Sequence, residues 1–274
     1  RKPFRAERIL CYSHEPVMRN FSEYSGHYPE FELSRDNGVA HLRFNTNGGP
    51  WIWSARAHRE LVAVMRDLDD DRENRVLVLS SAGPNWVEGI DLASFRGIAW
   101  DEMTWEAKRY FRAMLDLEIP VIAAVRGRCT IHAEIPLMSD IVLATPDAIF
   151  GDSAHLPRNV VPGDGTHIIW SALLGPNRSR SLLFGESFIG AEEARSVGMI
   201  AEIVPAESIL ERAFEHAHRI ASKPSVVARN TRTALIRPLR QAIEDGLAMG
   251  LALQGAAYSN QPHRGEVPVD PDRK

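Results

Sequence analysis

Histidine titrates nearest to neutrality of all side chains, so it is the first place to look for acid–base chemistry. The 274-residue sequence carries ten. His14, His27 and His263 lie in predicted arms, His41 alternates within a predicted strand, and His216 and His218 sit in a charged helix. These read as surface or structural residues. His58, His132, His155 and His167 differ, because each falls at or beside a break between predicted elements, where sites are built.

Two segments concentrate the chemistry. The first is Gly151-Asp152-Ser153-Ala154-His155-Leu156-Pro157 followed by Val161-Pro162-Gly163-Asp164-Gly165-Thr166-His167, a polar loop between a strand and a helix. If it folds back, Asp164 can hold one imidazole nitrogen of His155 and leave the other as a base for water. The plainer alternative makes Asp164 a helix N-cap, with Gly163 and Gly165 serving the turn. The second segment is Gly127-Arg128-Cys129-Thr130-Ile131-His132-Ala133-Glu134-Ile135-Pro136. It joins an apolar run to a helix start, where exposed backbone N–H groups could hold a developing oxyanion. His132 and Glu134 are two apart, and on a helix such residues face different ways. The spacing therefore predicts that only one of them serves the pocket.

Elements must hold these loops. Phe31–Arg35 and Val39–Asn45 read as strands joined at Asp36-Asn37-Gly38, a hairpin signal. Ser54 is the predicted N-cap of a helix reaching about Leu68, with Leu61, Val64, Met65 and Leu68 as its buried stripe. The run Asp69-Asp70-Asp71-Arg72-Glu73-Asn74 reads as a solvated connection. Val76–Leu79, Val121–Val125 and Ile141–Ala144 are continuous apolar runs, the pattern of strands buried on both faces. A helix over about Trp105–Leu117 separates the first two. This order predicts an α/β core with right-handed crossovers. Beyond Thr166 the chain turns helical, with Ala191–Val197, a short strand Ile200–Val204, then helices over about Glu207–Ala221, Ser225–Leu235 and Leu239–Tyr258. From Gly246 to Ala257 the only polar side chain is Gln254, so this stretch should be buried against another face or another subunit.

Composition sets the outer bounds. Apolar residues make 44% and charged residues 25%, which excludes a disordered chain. The formal charge of −4 gives no basic excess for nucleic acid or an anionic membrane. No apolar run approaches the ~18 residues of a membrane span, and Arg1 to Glu15 holds no signal-peptide core. Two cysteines, Cys11 and Cys129, make no disulfide framework and point to a reducing, cytoplasmic setting. The predicted organisation is an N-terminal arm over 1–28, an α/β core over 29–204, a helical region over 205–260 and an irregular tail over 261–274.

An ordered series of motifs then resembles the crotonase (enoyl-CoA hydratase/isomerase) superfamily. It comprises Ile119-Pro120-Val121-Ile122-Ala123-Ala124-Val125-Arg126-Gly127, Ser139-Asp140-Ile141-Val142-Leu143-Ala144, Phe150-Gly151, Val161-Pro162-Gly163-Asp164-Gly165, and Gly190-Ala191-Glu192-Glu193-Ala194 with Gly198-Met199-Ile200. The resemblance implies a spiral core of ββα units with a C-terminal helical trimerisation region, as a homotrimer or dimer of trimers. It places the oxyanion amides at Ile90, within Gly89-Ile90-Asp91-Leu92, and near Ile131. The departures from CoA-using hydratases matter equally. Thr130-Ile131-His132-Ala133 stands where they carry a glycine run. Glu134 matches one hydratase glutamate, but the second would fall near Ala154 or His155, where there is none. His132, His155 and Asp164 instead resemble the active-site pattern of 6-oxocamphor hydrolase and related β-diketone hydrolases, which cleave a carbon–carbon bond between two carbonyls without CoA or metal. By that resemblance Asp164 orients His155, His155 activates water, and His132 holds the enolate oxygen. Trp53 and His58 resemble that branch's Trp and His near the substrate, and Gln254 stands where a carboxylate approaches His58. Trp86 and Glu88 border the first oxyanion amide and either line the pocket or pack the loop. The implied partner is a small cyclic or bicyclic 1,3-diketone, with no cofactor and no metal. The alternatives are a CoA-dependent hydratase, isomerase or thioester hydrolase, and a non-catalytic scaffold of the same fold.

Overall fold

The hairpin shows how local sequence starts the sheet. Asn37 and Gly38 both take positive φ, 49° and 79°, the turn that Asn-Gly favours. They join β1 (Phe31–Asp36) to β2 (Val39–Phe44), which pair antiparallel with Phe31 opposite Phe44. The computed structural model describes residues 19–260. The predicted arm up to residue 18 and the tail 261–274, with Cys11, His14 and His263, lie outside the described residues.

The remaining strands are β3 (Ile52–Trp53), β4 (Val76–Ser81), β5 (Gly89–Ile90), β6 (Val121–Val125), β7 (Arg128–Cys129), β8 (Ile141–Ala144), β9 (Ile149–Phe150), β10 (Ile189–Gly190) and β11 (Glu202–Ile203). The helices are α1 (Phe21–Tyr24), α2 (Ala55–Asp70), α3 (Trp100–Asp116), α4 (Glu134–Leu137), α5 (Thr166–Leu174), α6 (Pro176–Phe184), α7 (Ala191–Ser196), α8 (Ile209–Ala221) and α9 (Ser225–Ser259). The main sheet runs β1-β2-β4-β6-β8-β11, parallel throughout after the hairpin. β7, β9 and β10 form a second sheet, and β3 pairs with β5.

The period of two along the strands divides the core. Val76, Val78, Ile122, Ala124 and Leu143 face α8, against Ile209, Ala213 and Ala217. Leu77, Leu79, Val121, Ala123, Val125 and Val142 face the opposite way, toward α2, α3 and the site. In α2, Ser54 caps as predicted, its hydroxyl accepting from Ala57 N at 3.0 Å. Leu61, Val64, Met65 and Leu68 are fully buried, each stabilising by about 1.5–3 kcal/mol for the larger side chains.

Three predicted features change. The acidic run after Leu68 is not a solvated connection. Helix α2 continues to Asp70, and Asp71 and Asn74 are buried. Tyr24, fully buried, donates its hydroxyl to Asp71 at 3.0 Å and accepts from Asn74 Nδ2 at 3.0 Å, while Arg35 pairs with Asp71 at 2.7 Å. Tyr28 reaches Asp67 in the same way. The last part of the N-terminal arm is thus a strap, sealed to the end of α2 by polar bonds. Secondly, α3 starts at Trp100 rather than near Trp105. Thirdly, the two C-terminal helices are one, with Pro238 inside α9. Proline forfeits one helical hydrogen bond. Two buried arginines hold the first half of α9 in place: Arg232 bonds Asp140 at 2.9 Å and Met114 O at 3.3 Å, and Arg229 bonds Asn74 O at 3.0 Å. Buried Ile243, Leu247 and Leu251 carry the second half. Among the described residues, no helix is long and apolar enough to cross a membrane.

Candidate active site

Trp53 is the floor of the site. Strand β3 delivers it, and it is buried at 3% exposure. Three side chains from three other elements gather on its ring. His132 stacks at 3.9 Å and 34°, His58 of α2 meets it edge-on at 5.6 Å, and Tyr110 of α3 edge-on at 6.3 Å.

His132 reaches Trp53 because the chain turns sharply on leaving β6. Gly127 takes φ +53°, and a Cβ there would stand 2.4 Å from Pro84 O. His132 itself takes φ +48°. That left-handed residue sits before α4, so the helical spacing rule does not yet apply. His132 and Glu134 therefore meet: Nδ1 lies 2.6 Å from Glu134 Oε1, and Tyr110 donates its hydroxyl to the same oxygen at 3.1 Å. The expectation that only one of them serves the pocket is overturned by this turn. Burial, with the Glu134 charge beside it, pushes the Tyr110 hydroxyl well above its ordinary value, so it stays a donor.

The loop after β9 does fold back. His155 Nε2 lies 3.0 Å from Asp164 Oδ2, the predicted pair. Asp164 is not the N-cap of α5, which is Gly165. The structure adds Asp152, whose oxygens lie 2.9 and 3.0 Å from His155 Nδ1. Both ring nitrogens are thus taken up by carboxylates, and neither is left to accept a proton from water. This corrects the expected role of His155 as the base. Burial alone would lower the proton affinity of His155, but Asp164 and Asp152 outweigh it and hold the imidazolium well past its ordinary range. Burial likewise pushes against ionised Asp164, and the His155 cation wins, keeping that carboxyl well below the usual carboxylate range.

His58 has its own carboxylate, Glu106 of α3, at 2.8 Å from Nδ1. This corrects the expectation for Gln254: the carboxylate beside His58 is supplied by α3, so Gln254 is not its replacement. Gln254 is buried against Gly163 and beside Tyr258, with Oε1 unpartnered. Trp86 is fully buried among Phe44 and Trp51, and is core rather than pocket wall. Glu88 is exposed and accepts from Asn85 Nδ2 at 2.9 Å, away from the cluster. Ile90 stands half-buried in β5, its amide between Glu88 N and Asp91 N, which donate to Trp51 O and Trp53 O. Ile131 is buried immediately before His132. His167 bonds Pro162 O at 2.9 Å, and burial lowers its proton affinity, which fits a structural residue.

Sequence reasoning missed Asp152, Glu106 and Tyr110. Glu106 left a signal, since with Ala107, Tyr110, Phe111 and Met114 it lies on the buried stripe of α3. A carboxylate on an apolar stripe implies a buried partner. Asp152 lies three residues before His155, the spacing of a side-chain-to-backbone turn. One donor atom each from His132, Glu134 and Asp164 lies within 4.8 Å of the others, a set that could take a divalent ion. Each already faces a hydrogen-bond partner, so the cluster reads as proton-handling machinery.

Buried imidazoles paired with carboxylates on an aromatic floor can do two things. They can take a proton from water or a carbon acid, and they can return it. Comparisons with known proteins agree with the fold that carries them. The structure resembles a β-diketone hydrolase from the cyanobacterium Anabaena sp. PCC 7120, solved with (S)-3-oxocyclohexyl acetic acid bound: TM-score 0.82 and 36% identity, covering 86% of this chain and 95% of that one. A short-chain-enoyl-CoA hydratase of Clostridium acetobutylicum is 27% identical, covering 85% of this chain and 90% of that protein. A (7aS)-7a-methyl-1,5-dioxo-2,3,5,6,7,7a-hexahydro-1H-indene-carboxyl-CoA hydrolase of Rhodococcus jostii is 26% identical over 77% and 84%. The family description "Enoyl-CoA hydratase/isomerase" matches residues 34–266. With that match spanning most of the sequence and the crotonase fold in place, the chain belongs to the enoyl-CoA hydratase/isomerase family.

Proposed function

We propose that the protein hydrolyses the carbon–carbon bond between the two carbonyls of a cyclic or bicyclic 1,3-diketone, giving a keto acid through an enolate. The observation that carries this reading is the pairing of every site imidazole with a carboxylate: His132 with Glu134, His155 with Asp152 and Asp164, and His58 with Glu106. Hydration of an enoyl thioester by two glutamates has only Glu134 available, and Glu134 is already held by His132 and Tyr110. The likeness to a β-diketone hydrolase supports the same conclusion.

The roles follow from the geometry. Glu134 holds His132 Nδ1, which leaves Nε2 as the acceptor for a proton of water, the arrangement in which a carboxylate fixes a catalytic imidazole. Asp164 accepts the other water hydrogen and aims the oxygen. Water oxygen bonds to one carbonyl carbon, and the charge on its oxygen meets the amides of Ile90 and the Ile131 segment. The carbon–carbon bond then breaks, its electron pair passing into the enolate of the second carbonyl. The proton on His132 returns to the enolate carbon. One water is consumed and no redox change occurs. Trp53 is the apolar wall for the ring and His58 borders it.

A hydrolysis screen of monocyclic and bicyclic 1,3-diketones, followed by loss of ultraviolet absorption, tests the proposal. Turnover by wild type, abolished in His132→Gln, is the expected result. The second reading is an acyl-CoA hydratase, favoured by Glu134 and by the enoyl-CoA hydratase named among the relatives. Turnover of an enoyl-CoA with a silent diketone panel would install it. We also infer a homotrimer or dimer of trimers, since α9 exposes Leu235, Met249 and Leu253. A monomer mass by light scattering would overturn that.

A further inference from the structure

His155 is held unlike any other imidazole in the described chain. Its ring is buried and bonded at both nitrogens, to Asp152 on one side and Asp164 on the other. A neutral imidazole has one N–H and one lone pair. Between two carboxylates, that lone pair would face an oxygen lone pair, so only the doubly protonated ring satisfies both contacts.

The two carboxylates are not equivalent. Asp152 is fixed locally: its Oδ1 accepts from Ala154 N at 3.0 Å and from His155 N at 3.2 Å, so the turn itself aims it at Nδ1. Asp164 is bonded by Thr166 Oγ1 at 3.1 Å and shares a 4.8 Å cluster with His132 and Glu134. One carboxylate therefore belongs to the loop and the other to the pocket. We propose that Asp152 is a positioning residue: acting through His155, it keeps both ring nitrogens as donors, so that Asp164 is pinned and presented to the pocket as a carboxylate. This role rests on the diketone reading only for its effect on turnover. The state of the His155 ring does not depend on which substrate is used.

The other groups around His155 do not replace Asp152. Tyr258 approaches from α9, His167 from α5, and Arg158 from the short turn Leu156–Arg158. None of these is a second anion at neutral pH. The protonated state of His155 therefore depends on Asp152 and Asp164 together, with His132 and Glu134 beyond Asp164. Removing the charge of Asp152 but not its shape lets His155 shed its Nδ1 proton at a lower pH, because Nε2 keeps its N–H for the remaining carboxylate. Asp164 then faces a neutral N–H in place of a cation and is held less firmly.

Two measurements test this. Nitrogen-15 NMR of the substrate-free wild type at pH 8 should show both His155 ring nitrogens protonated, and Asp152→Asn should show one bare. In turnover, Asp152→Asn should move the alkaline limb of the kcat profile toward neutrality by about one to three pH units, the effect of losing one adjacent charge, with KM little changed. Asp152→Glu, which restores the charge, should move the limb back. A bare ring nitrogen in wild type at pH 8 overturns the proposal, as does an Asp152→Asn profile that superimposes on wild type. If no diketone is turned over, the proposed reaction fails while the NMR experiment still decides the role of Asp152.

Discussion

Two buried polar networks lie at opposite ends of α2, and they are built from different cations. Under the N-terminal strap, Asp71 is held by Tyr24 and by the guanidinium of Arg35. In the pocket, Glu134, Glu106, Asp152 and Asp164 are held by imidazoles. Arginine keeps its charge at any working pH, so the strap is a fixed seal. An imidazole can take up and release a proton near neutrality, so the pocket can do chemistry with the same kind of contact. Burying a carboxylate does not make a site. The proton affinity of its partner does.

The sharpest way to break this contrast is to remove one member from each network. His132→Gln should lower kcat by about 10²–10⁴-fold, the usual worth of an acid–base group, while the urea midpoint stays near wild type because the amide keeps a donor for Glu134. Steady-state kinetics and equilibrium unfolding read the two separately. Asp71→Ala should do the reverse, costing about 1–3 kcal/mol by leaving the buried Tyr24 hydroxyl without its acceptor, with kcat of the folded protein unchanged. A large kcat loss in Asp71→Ala would erase the distinction between the networks. Gly250→Ala tests the packing behind the pocket network alone. Its Cβ would stand 2.3 Å from His167 Cε1 and 2.4 Å from Gly163 O. Overpacking of this kind costs about 1–3 kcal/mol, and because the displaced segment carries Asp164, kcat should fall as well.

The smallest effect concerns an imidazole bonded to a hydroxyl rather than a carboxylate. His41 bonds Ser80 Oγ at 2.8 Å, and burial brings it down to about 4. Its folded value lies below the unfolded one, so the unfolded chain binds more protons over that interval. The stability it gives is complete above the unfolded value and is lost as pH falls toward 4. His41→Gln, which can keep a hydrogen bond to Ser80, should flatten the fall of the urea midpoint with acid over that range. An unchanged slope would mean that burial without a carboxylate does not set this imidazole's charge.

Much of this was legible in the sequence, and the reasons differ by residue. The hairpin, the cap of α2 and the continuous apolar strands follow from local patterns that admit one solution. The pairing of His155 with Asp164 was legible as a possibility of the loop. Asp152 was not, because an aspartate next to a turn glycine looks like any turn aspartate until the fold aims it. His132 and Glu134 were read apart because the spacing rule assumes a helix, and a left-handed residue precedes it. The strap was hidden in an acidic run whose burial depends on Tyr24 and Arg35, both far away in the chain. Helix α9 was read as two helices, Ser225–Leu235 and Leu239–Tyr258, because the buried arginines that hold it together act through tertiary contacts.

The crossing of Gly163 and Gly250 has a consequence for the order in which the protein is made. Gly250 follows Gly163 by 87 residues. At about 5–20 residues per second, the ribosome delivers it roughly 4–17 s later. Until α9 arrives, the segment that holds Asp164 packs on Phe111 at Gly165 but lacks the helix that crosses it at Gly163. The nascent chain can complete its sheet and still lack a finished pocket, so catalytic competence is a late event of synthesis, gained when the final helix docks.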